Sequence, residues 1–308
     1  MISTFPNFKR LELKDKREIS KFISKFPPHS DYNFPSLWSY NIKNDLTVSY
    51  LNGNLVVKFR DYITNQFFYS FIGSNQLIAT VNLLLDQAKK QKMEPELLLI
   101  PEDNLAGNPE LSQTLSIKED PRNHDYILSL KEHANLGGKK YHRHRKSIAR
   151  FSRLYPQIKP QLLNIKKKLL KKQIIELFQI WYKRKGKNYE DIEHELIALR
   201  RILAHPDYLN LVGYGMYHNS KLISFLIVDI GHPEYAESHF SKTHPDYIGA
   251  TQVMRYFSSK HLNQLGLKYL NIEQDMGIES LRYTKNQWKP VFFLKKYIIS
   301  EKESLIKQ

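Results

Sequence analysis

Short apolar runs separated by turn-forming residues recur along the first part of the chain and predict strands between helices. The dipeptide Asn52-Gly53 joins two such runs, which is the pattern of a tight β-hairpin. After Gly73 the period lengthens, and Leu77 and Val81 fall on one face of a helix. The predicted strands cover residues 8–13, 45–50, 54–60, 66–72, 96–100 and 125–130, and the predicted helices cover residues 15–25 and 73–92, with a short helix inside 26–41.

The same order of elements recurs in the second part of the chain. We predict helices over residues 171–183, 191–204, 248–265 and 278–285, and strands over 209–217, 222–230, 235–241, 268–272 and 291–297. The two parts share no visible sequence identity, so the repeat is one of architecture only. This order resembles that of the GNAT acyltransferase fold. The expected fold class is therefore α/β with mixed sheets, built from two tandem GNAT-like domains.

The chain is long enough for two domains: it has 308 residues, of which 41% are hydrophobic and 12% aromatic. We predict an N-terminal GNAT-like domain over residues 1–125, a basic helical connector over 126–170 and a C-terminal GNAT-like domain over 171–308.

The absence of cysteine excludes disulfides and thiolate chemistry. The longest apolar run, residues 222–228, is far shorter than the roughly 20 residues of a membrane span, and no signal peptide begins the chain. We expect a soluble, cytoplasmic protein and leave open its peripheral attachment to the inner membrane surface.

Positive charge is concentrated in the middle of the chain. The net charge is +16, yet residues 1–125 contain 15 basic and 15 acidic residues, and residues 191–308 contain 14 and 13. Residues 126–190 contain 18 basic and three acidic residues, and no acidic residue lies between His133 and Ile175. This imbalance favours a polyanionic partner: RNA phosphates, a nucleotide-like cofactor or anionic lipid headgroups. A solvated basic surface is the structural alternative.

The core of this basic segment predicts an amphipathic helix that starts near Tyr141. The residues that we expect to bind phosphate are Lys139, Lys140, Arg143, Arg145 and Arg150. His142 and His144 are two positions apart, which is not the spacing of metal ligands on a helix, and no acidic cluster lies nearby. We therefore expect no metal site. In the proline-rich loop before residue 41, His29 is interpreted as a hydrogen-bonding loop residue rather than a catalyst.

Near the C-terminus a short apolar strand leads into two carboxylates and then into a helix. Alternation along an extended segment would place Asn271, Glu273 and Asp275 on one side. Strand ends that open onto a helix start are typical ligand sites in α/β folds, because the helix supplies free N–H donors. The structural alternative is a helix cap, in which Asp275 caps the helix and pairs with Arg282.

Four segments that occur in order in this chain resemble one bacterial family. They are FPPHSDYNFPSLWSYN at 26–41, LGGKKYHRHRKSIARF at 136–151, SHFSKT at 238–243 followed by YIGA at 247–250, and NIEQDMGIESLRYTKNQWKP at 271–290 followed by LKKY at 294–297. Together they are similar to the family built on the phosphatidylglycerol lysyltransferase C-terminal domain, over residues 8 to 297. The resemblance implies a tandem GNAT fold, similar to the Fem-type aminoacyltransferases of peptidoglycan synthesis. It also implies transfer of an aminoacyl group from aminoacyl-tRNA to a lipid headgroup hydroxyl.

The chain departs from the family pattern at two points. The lysyltransferases carry an N-terminal membrane domain that we do not find here, which puts a lipid acceptor in doubt. The third motif of the family usually has a glutamate before its lysine, whereas this chain has Ser241 before Lys242. The last motif matches the family well, at Glu273, Asp275, Gly277, Glu279, Leu281 and Arg282.

The donor could be acyl-coenzyme A or aminoacyl-tRNA. GNAT enzymes that use acyl-coenzyme A hold its pyrophosphate on N–H groups at the start of the central helix. The sequence signature of this site is Gln or Arg, then any two residues, Gly, any one residue, and Gly or Ala. The segment DYIGAT has Gly249, but Asp246 takes the position of the cation or amide and Thr251 that of a small residue. The segment FIGSNQ has a single glycine, Gly73. Both signatures are poor, and the basic segment favours tRNA.

We therefore expect an aminoacyl-tRNA-dependent aminoacyltransferase without a bound cofactor, which passes an aminoacyl group to a hydroxyl or amine of a lipid headgroup or peptide. Glu273 or Asp275 would bind the aminoacyl ammonium or act as base, while Arg282 and Lys242 would stabilise the oxyanion or bind the terminal phosphate of tRNA. Gly249 and Tyr297, the last residue of LKKY, are further candidate substrate contacts.

Two other functions remain open from the sequence. One is an acyl-coenzyme A-dependent N-acyltransferase on the same scaffold. The other is a degenerate transferase that binds RNA or another anion without catalysis, which Ser241 motivates. The amino acid, the acceptor, the active half and the oligomeric state do not follow from the sequence.

Overall fold

The computed structural model describes residues 1–61, 64–108, 111–185 and 189–302, which fall into two compact units. The first unit takes in the described residues of Met1–Asp125, Gln274–Arg282 and those from Phe293 onward. The second unit takes in those of Tyr126–Glu273 and Tyr283–Phe292. Residues 126–170, predicted as a connector, lie inside the second unit. Each unit is made of more than one stretch of sequence, because the chain returns to the first unit at Gln274 and again at Phe293.

The first sheet has seven strands in the order β1-β2-β3-β4-β5-β14-β6. Neighbouring strands pair antiparallel except β4 and β5, which run parallel and meet at Tyr69 opposite Leu97. The strands are β1 (Lys9–Arg10), β2 (Thr47–Leu51), β3 (Asn54–Arg60), β4 (Phe67–Ile72), β5 (Glu96–Pro101), β6 (Leu115–Glu119) and β14 (Lys296–Glu301).

Five helices belong to the sequence of the first unit before residue 125: α1 (Lys16–Ile23), α2 (Phe34–Ser39), α3 (Leu77–Lys90), α4 (Glu102–Leu105) and α5 (Leu111–Thr114). Helix α3 packs its predicted apolar face, which includes Val81 and Leu84, into a core shared with Phe71 and Leu97 of the sheet. The β2–β3 hairpin turns at Asn52-Gly53, as the sequence predicted, with positive φ angles of 52° and 80°.

The second sheet also has seven strands, in the order β13-β7-β12-β11-β10-β9-β8, and β11 pairs parallel with β12. Its strands are β7 (Asp125–Ser129), β8 (Pro160–Leu163), β9 (Leu211–His218), β10 (Lys221–Asp229), β11 (Tyr235–Thr243), β12 (Tyr269–Asn271) and β13 (Phe292–Leu294). The remaining helices are α6 (Leu130–Asn135), α7 (His142–Leu154), α8 (Lys168–Lys185), α9 (Tyr189–Ala204), α10 (Ala250–Gln264) and α11 (Glu279–Gln287). Leu226, Val228, Met254 and Leu262 are among the buried residues of the core that strands and α10 share.

One predicted element was wrong. Residues 291–297 were predicted as a single last strand, but the chain makes two strands that join different sheets, β13 in the second and β14 in the first. The break is at Lys295, whose N–H donates to Glu102 Oε1 at 3.0 Å and whose carbonyl accepts from the Glu102 N–H. Strands β6 and β8 were not predicted at all.

No helix in the described ranges is long and apolar enough to cross a membrane.

Candidate functional site

Strand β12 ends sooner than the alternation of its residues suggested. Its last residue is Asn271, and Glu273 adopts a left-handed φ of 61° while the Asn271 side chain accepts the Glu273 N–H at 2.7 Å. Met276 and Gly277 also have positive φ angles. The chain therefore leaves the extended conformation before Asp275, and the expected alignment of Asn271, Glu273 and Asp275 on one strand face was wrong.

Asp275, in the first unit, is fully buried and bonded to its own loop and helix. Its Oδ1 accepts the Gly277 N–H at 2.8 Å, which forms a tight turn before α11. The Arg282 guanidinium donates to both carboxylate oxygens, from Nε at 2.9 Å and from Nη2 at 3.1 Å. The structural alternative predicted that Asp275 pairs with Arg282, and the pair is bidentate. The proposed catalytic roles of Asp275 and Arg282 stay predictions.

Glu273, in the second unit, forms a carboxylate–imidazole pair that was not predicted. Its Oε1 lies 3.2 Å from Nδ1 of His239, and its side chain is 26% exposed while that of His239 is 1% exposed. The contact is consistent with His239 donating its Nδ1–H, which fixes the orientation of the carboxylate. The partly exposed Glu273 is therefore the member of the pair that can meet a substrate.

A β-bulge places His239 for this contact. In the β10–β11 pairing Ile227 lies opposite Phe240 and Val228 lies opposite Ser238, so His239 has no cross-strand partner in the ladder. A bulged residue bends its strand and turns its side chain out of the regular alternation, and bulges are common beside active sites. His239 lies within the SHFSKT segment, so that segment was the available sequence signal.

Lys242 of β11 is buried and its charge is matched. Its Nζ lies 2.5 Å from Glu195 Oε1 of α9 and 4.1 Å from the ring centroid of Trp181. Sequence reasoning noted that Ser241 stands where a glutamate is usual, and in the fold Glu195 supplies a carboxylate to the neighbouring lysine instead. Among the described residues, no hydrogen bond or ion pair joins Lys242 to Glu273.

Gly249 is explained by close packing. It precedes α10 with φ of 97°, and a Cβ there would lie 2.9 Å from the Ser147 carbonyl oxygen and 3.1 Å from Phe151 Cβ. Ser147 and Phe151 belong to α7, and the Ser147 hydroxyl lies 3.3 Å from Gln252 Oε1 of α10. Helix α7 therefore lies against the start of α10. Asp246, just before this turn, forms an exposed ion pair with Arg184 at 3.1 Å.

Helix α7 buries Phe151 and exposes a row of cations on its outer side. Arg143, Lys146, Arg150 and Arg153 form the α7 cationic row; all four are exposed, and none has an acidic partner among the described residues. Two of the other predicted phosphate-binding residues are engaged locally: Arg145 Nη1 donates to the carbonyls of Leu136 and Gly138, and Lys140 pairs with Glu132 at 2.7 Å. The predicted site residue Lys139 is exposed.

Tyr297 lies in β14, half-buried, opposite Ile100 and Glu119 of the neighbouring strands. Burial, followed by the charge of Glu119, raises the pKa of its phenol. The structure therefore places it in the first unit, as a sheet residue, with Lys296 as its chain neighbour.

The first unit contains a buried ion cluster that sequence reasoning missed. Lys296 is fully buried, and its Nζ contacts Asp31 and lies 2.9 Å from Asp125 Oδ1. The Ser30 hydroxyl oxygen lies 2.6 Å from Asp125 Oδ1 and 2.7 Å from Gln274 Oε1. The cluster thus joins side chains from residues 26–41, 271–290 and 294–297, three of the segments that carry the family resemblance. A lysine inside the apolar run FLKKYII was the sequence signal for it.

The two carboxyls of this cluster, Asp31 and Asp125, differ in the direction in which their pKa values are shifted. Burial opposes ionisation of Asp125, but Lys296 and the Ser30 hydrogen bonds hold its pKa below the usual value. Burial raises the pKa of Asp31 despite the neighbouring lysine, and the charge of Asp125 adds to this rise. Asp125 is therefore the anion that balances Lys296, and Asp31 is the carboxyl with the stronger hold on a proton.

Comparisons with known proteins identify the family of this chain and support its fold. Residues 25–300 match the family described as phosphatidylglycerol lysyltransferase, C-terminal. A conserved protein of unknown function from Bacteroides thetaiotaomicron VPI-5482 is 27% identical, with a TM-score of 0.84, over 98% of this chain and 100% of that chain. L-PGS from Bacillus licheniformis is 12% identical, with a TM-score of 0.61, over 99% of this chain and 95% of that chain.

A tandem GNAT protein from the clavulanic acid biosynthesis pathway is 9% identical, with a TM-score of 0.50, over 97% of this chain and 99% of that chain. The predicted fold class, α/β with two tandem GNAT-like domains, is confirmed by this likeness. No curated protein matches the sequence significantly.

Proposed function

Since this chain belongs to the phosphatidylglycerol lysyltransferase C-terminal family, we propose that it is an aminoacyltransferase whose donor is an aminoacyl-tRNA. The acceptor is a hydroxyl or an amine, carried by a lipid headgroup or a peptide. The observation that carries the choice of donor is the position and charge of helix α7.

Helix α7 bears on the donor in two ways. GNAT enzymes that use acyl-coenzyme A place the pyrophosphate at the start of the central helix, on free N–H groups. Here α7 lies against the start of α10, close enough that only a glycine fits at position 249. The same helix presents the α7 cationic row, which has no acidic partner in the described part of the chain. A helix that occupies the pyrophosphate position and displays unmatched cations suits an RNA donor better than a nucleotide cofactor.

Glu273 is the residue that we assign to proton transfer. The acceptor oxygen or nitrogen would attack the carbonyl carbon of the aminoacyl ester, and its proton would pass to the Glu273 carboxylate. The bond between that carbon and the ribose oxygen would then break, and the proton would pass to the leaving ribose oxygen. His239 is a positioning residue, because it is buried and contacts Glu273 without facing solvent.

The test is transfer of labelled amino acid from a panel of charged tRNAs to lipid and peptide acceptors. We expect Glu273→Gln to reduce transfer by about 10²–10⁴-fold, the range for loss of a general base. Glu279→Gln is the matched control, because Glu279 is an exposed glutamate in the first turn of α11 and should leave transfer unchanged. If no charged tRNA in the panel binds or yields product, the proposal fails.

The main rival is an N-acyltransferase that uses acyl-coenzyme A. A thermal-shift comparison separates the two donors, because a ligand that binds the folded state raises its melting temperature. Stabilisation by acyl-coenzyme A together with indifference to tRNA would favour the rival. If the Glu273→Gln variant binds tRNA and retains full cellular function, the protein is instead a non-catalytic RNA-binding relative.

A further inference from the structure

Arg255 is a buried cation without a counter-ion. It lies on α10, is only 7% exposed, and its Nη1 is buried without a hydrogen-bond partner in the described part of the chain. Its nearest described aromatic contact is Trp288, whose ring centroid lies 5.4 Å from Arg255 Cζ. The ring can stabilise the face of the guanidinium, but the N–H groups at its edge need acceptors.

The charge on Arg255 persists inside the protein. Burial lowers the pKa of the guanidinium to about 10, so it stays protonated at neutral pH. Burial is the cause of this lowered pKa, and no carboxylate in the described part of the second unit pairs with the guanidinium. An unpaired buried charge is among the most destabilising features a fold can contain, and such residues persist where a ligand supplies the opposite charge.

Two histidines pack against Trp288, the ring that contacts this arginine. The ring centroid of Trp288 lies 5.0 Å from that of His144 and 6.1 Å from that of His133. Burial, with the charge of Arg255 as the next cause, lowers the pKa of His133 to about 4, so this histidine is neutral at pH 7. Its Nε2–H donates to the Trp288 carbonyl at 2.8 Å. His133 therefore adds no charge to the cluster.

His144 provides a second, independent sign of a missing ligand. Its Nδ1 is buried and has no hydrogen-bond partner among the described residues. The acidic side chain close to the cluster, Glu132, is engaged elsewhere by Lys140 and by the Tyr141 hydroxyl at 2.8 Å. The cluster thus contains two buried nitrogens without partners among the described residues, Arg255 Nη1 and His144 Nδ1, and Lys289 adds positive charge near His144.

We propose that Arg255, Trp288 and His144 form a binding site for a small oxyanion. The buried charge of Arg255 selects an anion, because a neutral ligand would leave that charge unmatched. The planar guanidinium fork selects a group with two adjacent oxygens, which both a carboxylate and a phosphodiester present. The site uses none of the residues assigned to aminoacyl transfer, so it is an additional site whose test does not depend on that activity.

The experiment follows the indole N–H signal of Trp288 by NMR in the full chain, with assignment from Trp288→Phe. Acetate and dimethyl phosphate are titrated separately at constant ionic strength, so that screening stays fixed. We expect a saturable shift of this signal in the millimolar range for wild type and for Arg200→Met, which removes an exposed arginine of α9. Arg255→Met should show no shift with either anion, and Arg255→Lys should bind more weakly, since it keeps the charge but loses the fork.

Each outcome decides the proposal. A shift with acetate alone assigns a carboxylate, and a shift with dimethyl phosphate alone assigns a phosphodiester. The ligand-free Arg255→Met protein should melt at the same temperature as wild type or higher, because the substitution removes an uncompensated charge. No saturable shift in wild type, an equal shift in Arg255→Met, or failure of Arg255→Met to fold would each overturn the site.

Discussion

At the scale of single residues, the sequence predicted candidate side chains but not all of the groups that contact them. Glu273, Asp275, Arg282 and Lys242 were all predicted as site residues, and each has a polar partner in the fold. The partners of Glu273 and Lys242, His239 and Glu195, lie 34 and 47 positions away in the chain, and no local pattern encodes such pairing. Side-chain alternation failed beyond Asn271 because a left-handed residue ends the strand, a backbone choice that spacing does not reveal.

The buried cluster around Lys296 makes a prediction at this scale. Lys296→Met should destabilise the fold by about 3–5 kcal/mol, because it leaves Asp125 and Asp31 buried without their cation. Urea unfolding at neutral pH measures the change in the free energy of unfolding.

Lys295→Met is the control, since this neighbouring lysine is 41% exposed and pairs at the surface with Glu119 at 3.2 Å. Its loss should cost no more than about 1 kcal/mol. Equal losses in the two variants would show that the buried cluster does not hold the first unit together.

At the scale of elements, hydrophobic period and turn chemistry predicted most helices and strands. These local signals could not predict which distant strands pair with each other. The β2–β3 hairpin and α3 were predicted because their signals are local. Strands β13 and β14 were merged because no turn-forming residue interrupts the run VFFLKKYII. Only the hydrogen bonds between Lys295 and Glu102, far apart in sequence, reveal that the chain changes sheet there.

The packing of α7 on α10 predicts a large cost for Gly249→Ala. The added Cβ would approach the Ser147 carbonyl oxygen to 2.9 Å at a φ of 97°, so steric overlap and backbone strain act together. We expect a loss of about 2–4 kcal/mol in the free energy of unfolding, measured by urea denaturation.

Gly266→Ala isolates the backbone contribution. Gly266 follows α10 with a φ of 88°, and no atom lies within 4 Å of its built Cβ. Its substitution should cost only about 1 kcal/mol, from the positive φ alone. Should the two variants be equally stable, α7 would not be packed against the start of α10 as described.

At the scale of the whole molecule, the distribution of charge is the sequence feature on which the proposed tRNA donor rests. A net charge of +16 is uninformative until it is located, and residues 126–190 contain nearly all of the excess. The fold adds what composition could not: some of these cations, such as Arg145 and Lys140, are bound to neighbouring groups. The α7 cationic row is not, because an acid-free helix leaves its outer side without local partners.

Binding of tRNA should therefore depend on the α7 cationic row and on salt. Replacing Arg143, Lys146, Arg150 and Arg153 together by Gln should weaken tRNA binding at low salt and reduce the slope of log K against log[salt] by about 3, since each phosphate contact contributes roughly 0.7–0.9. The control replaces Lys21, Lys25, Lys90 and Lys92, four exposed lysines of the first unit, by Gln. Both variants lose four charges, so a change in net charge alone would affect them equally. Filter binding of labelled tRNA between about 50 and 200 mM salt measures the slopes. A slope that falls by the same amount in both variants would mean that RNA responds to overall charge, and that α7 has no defined contact with it.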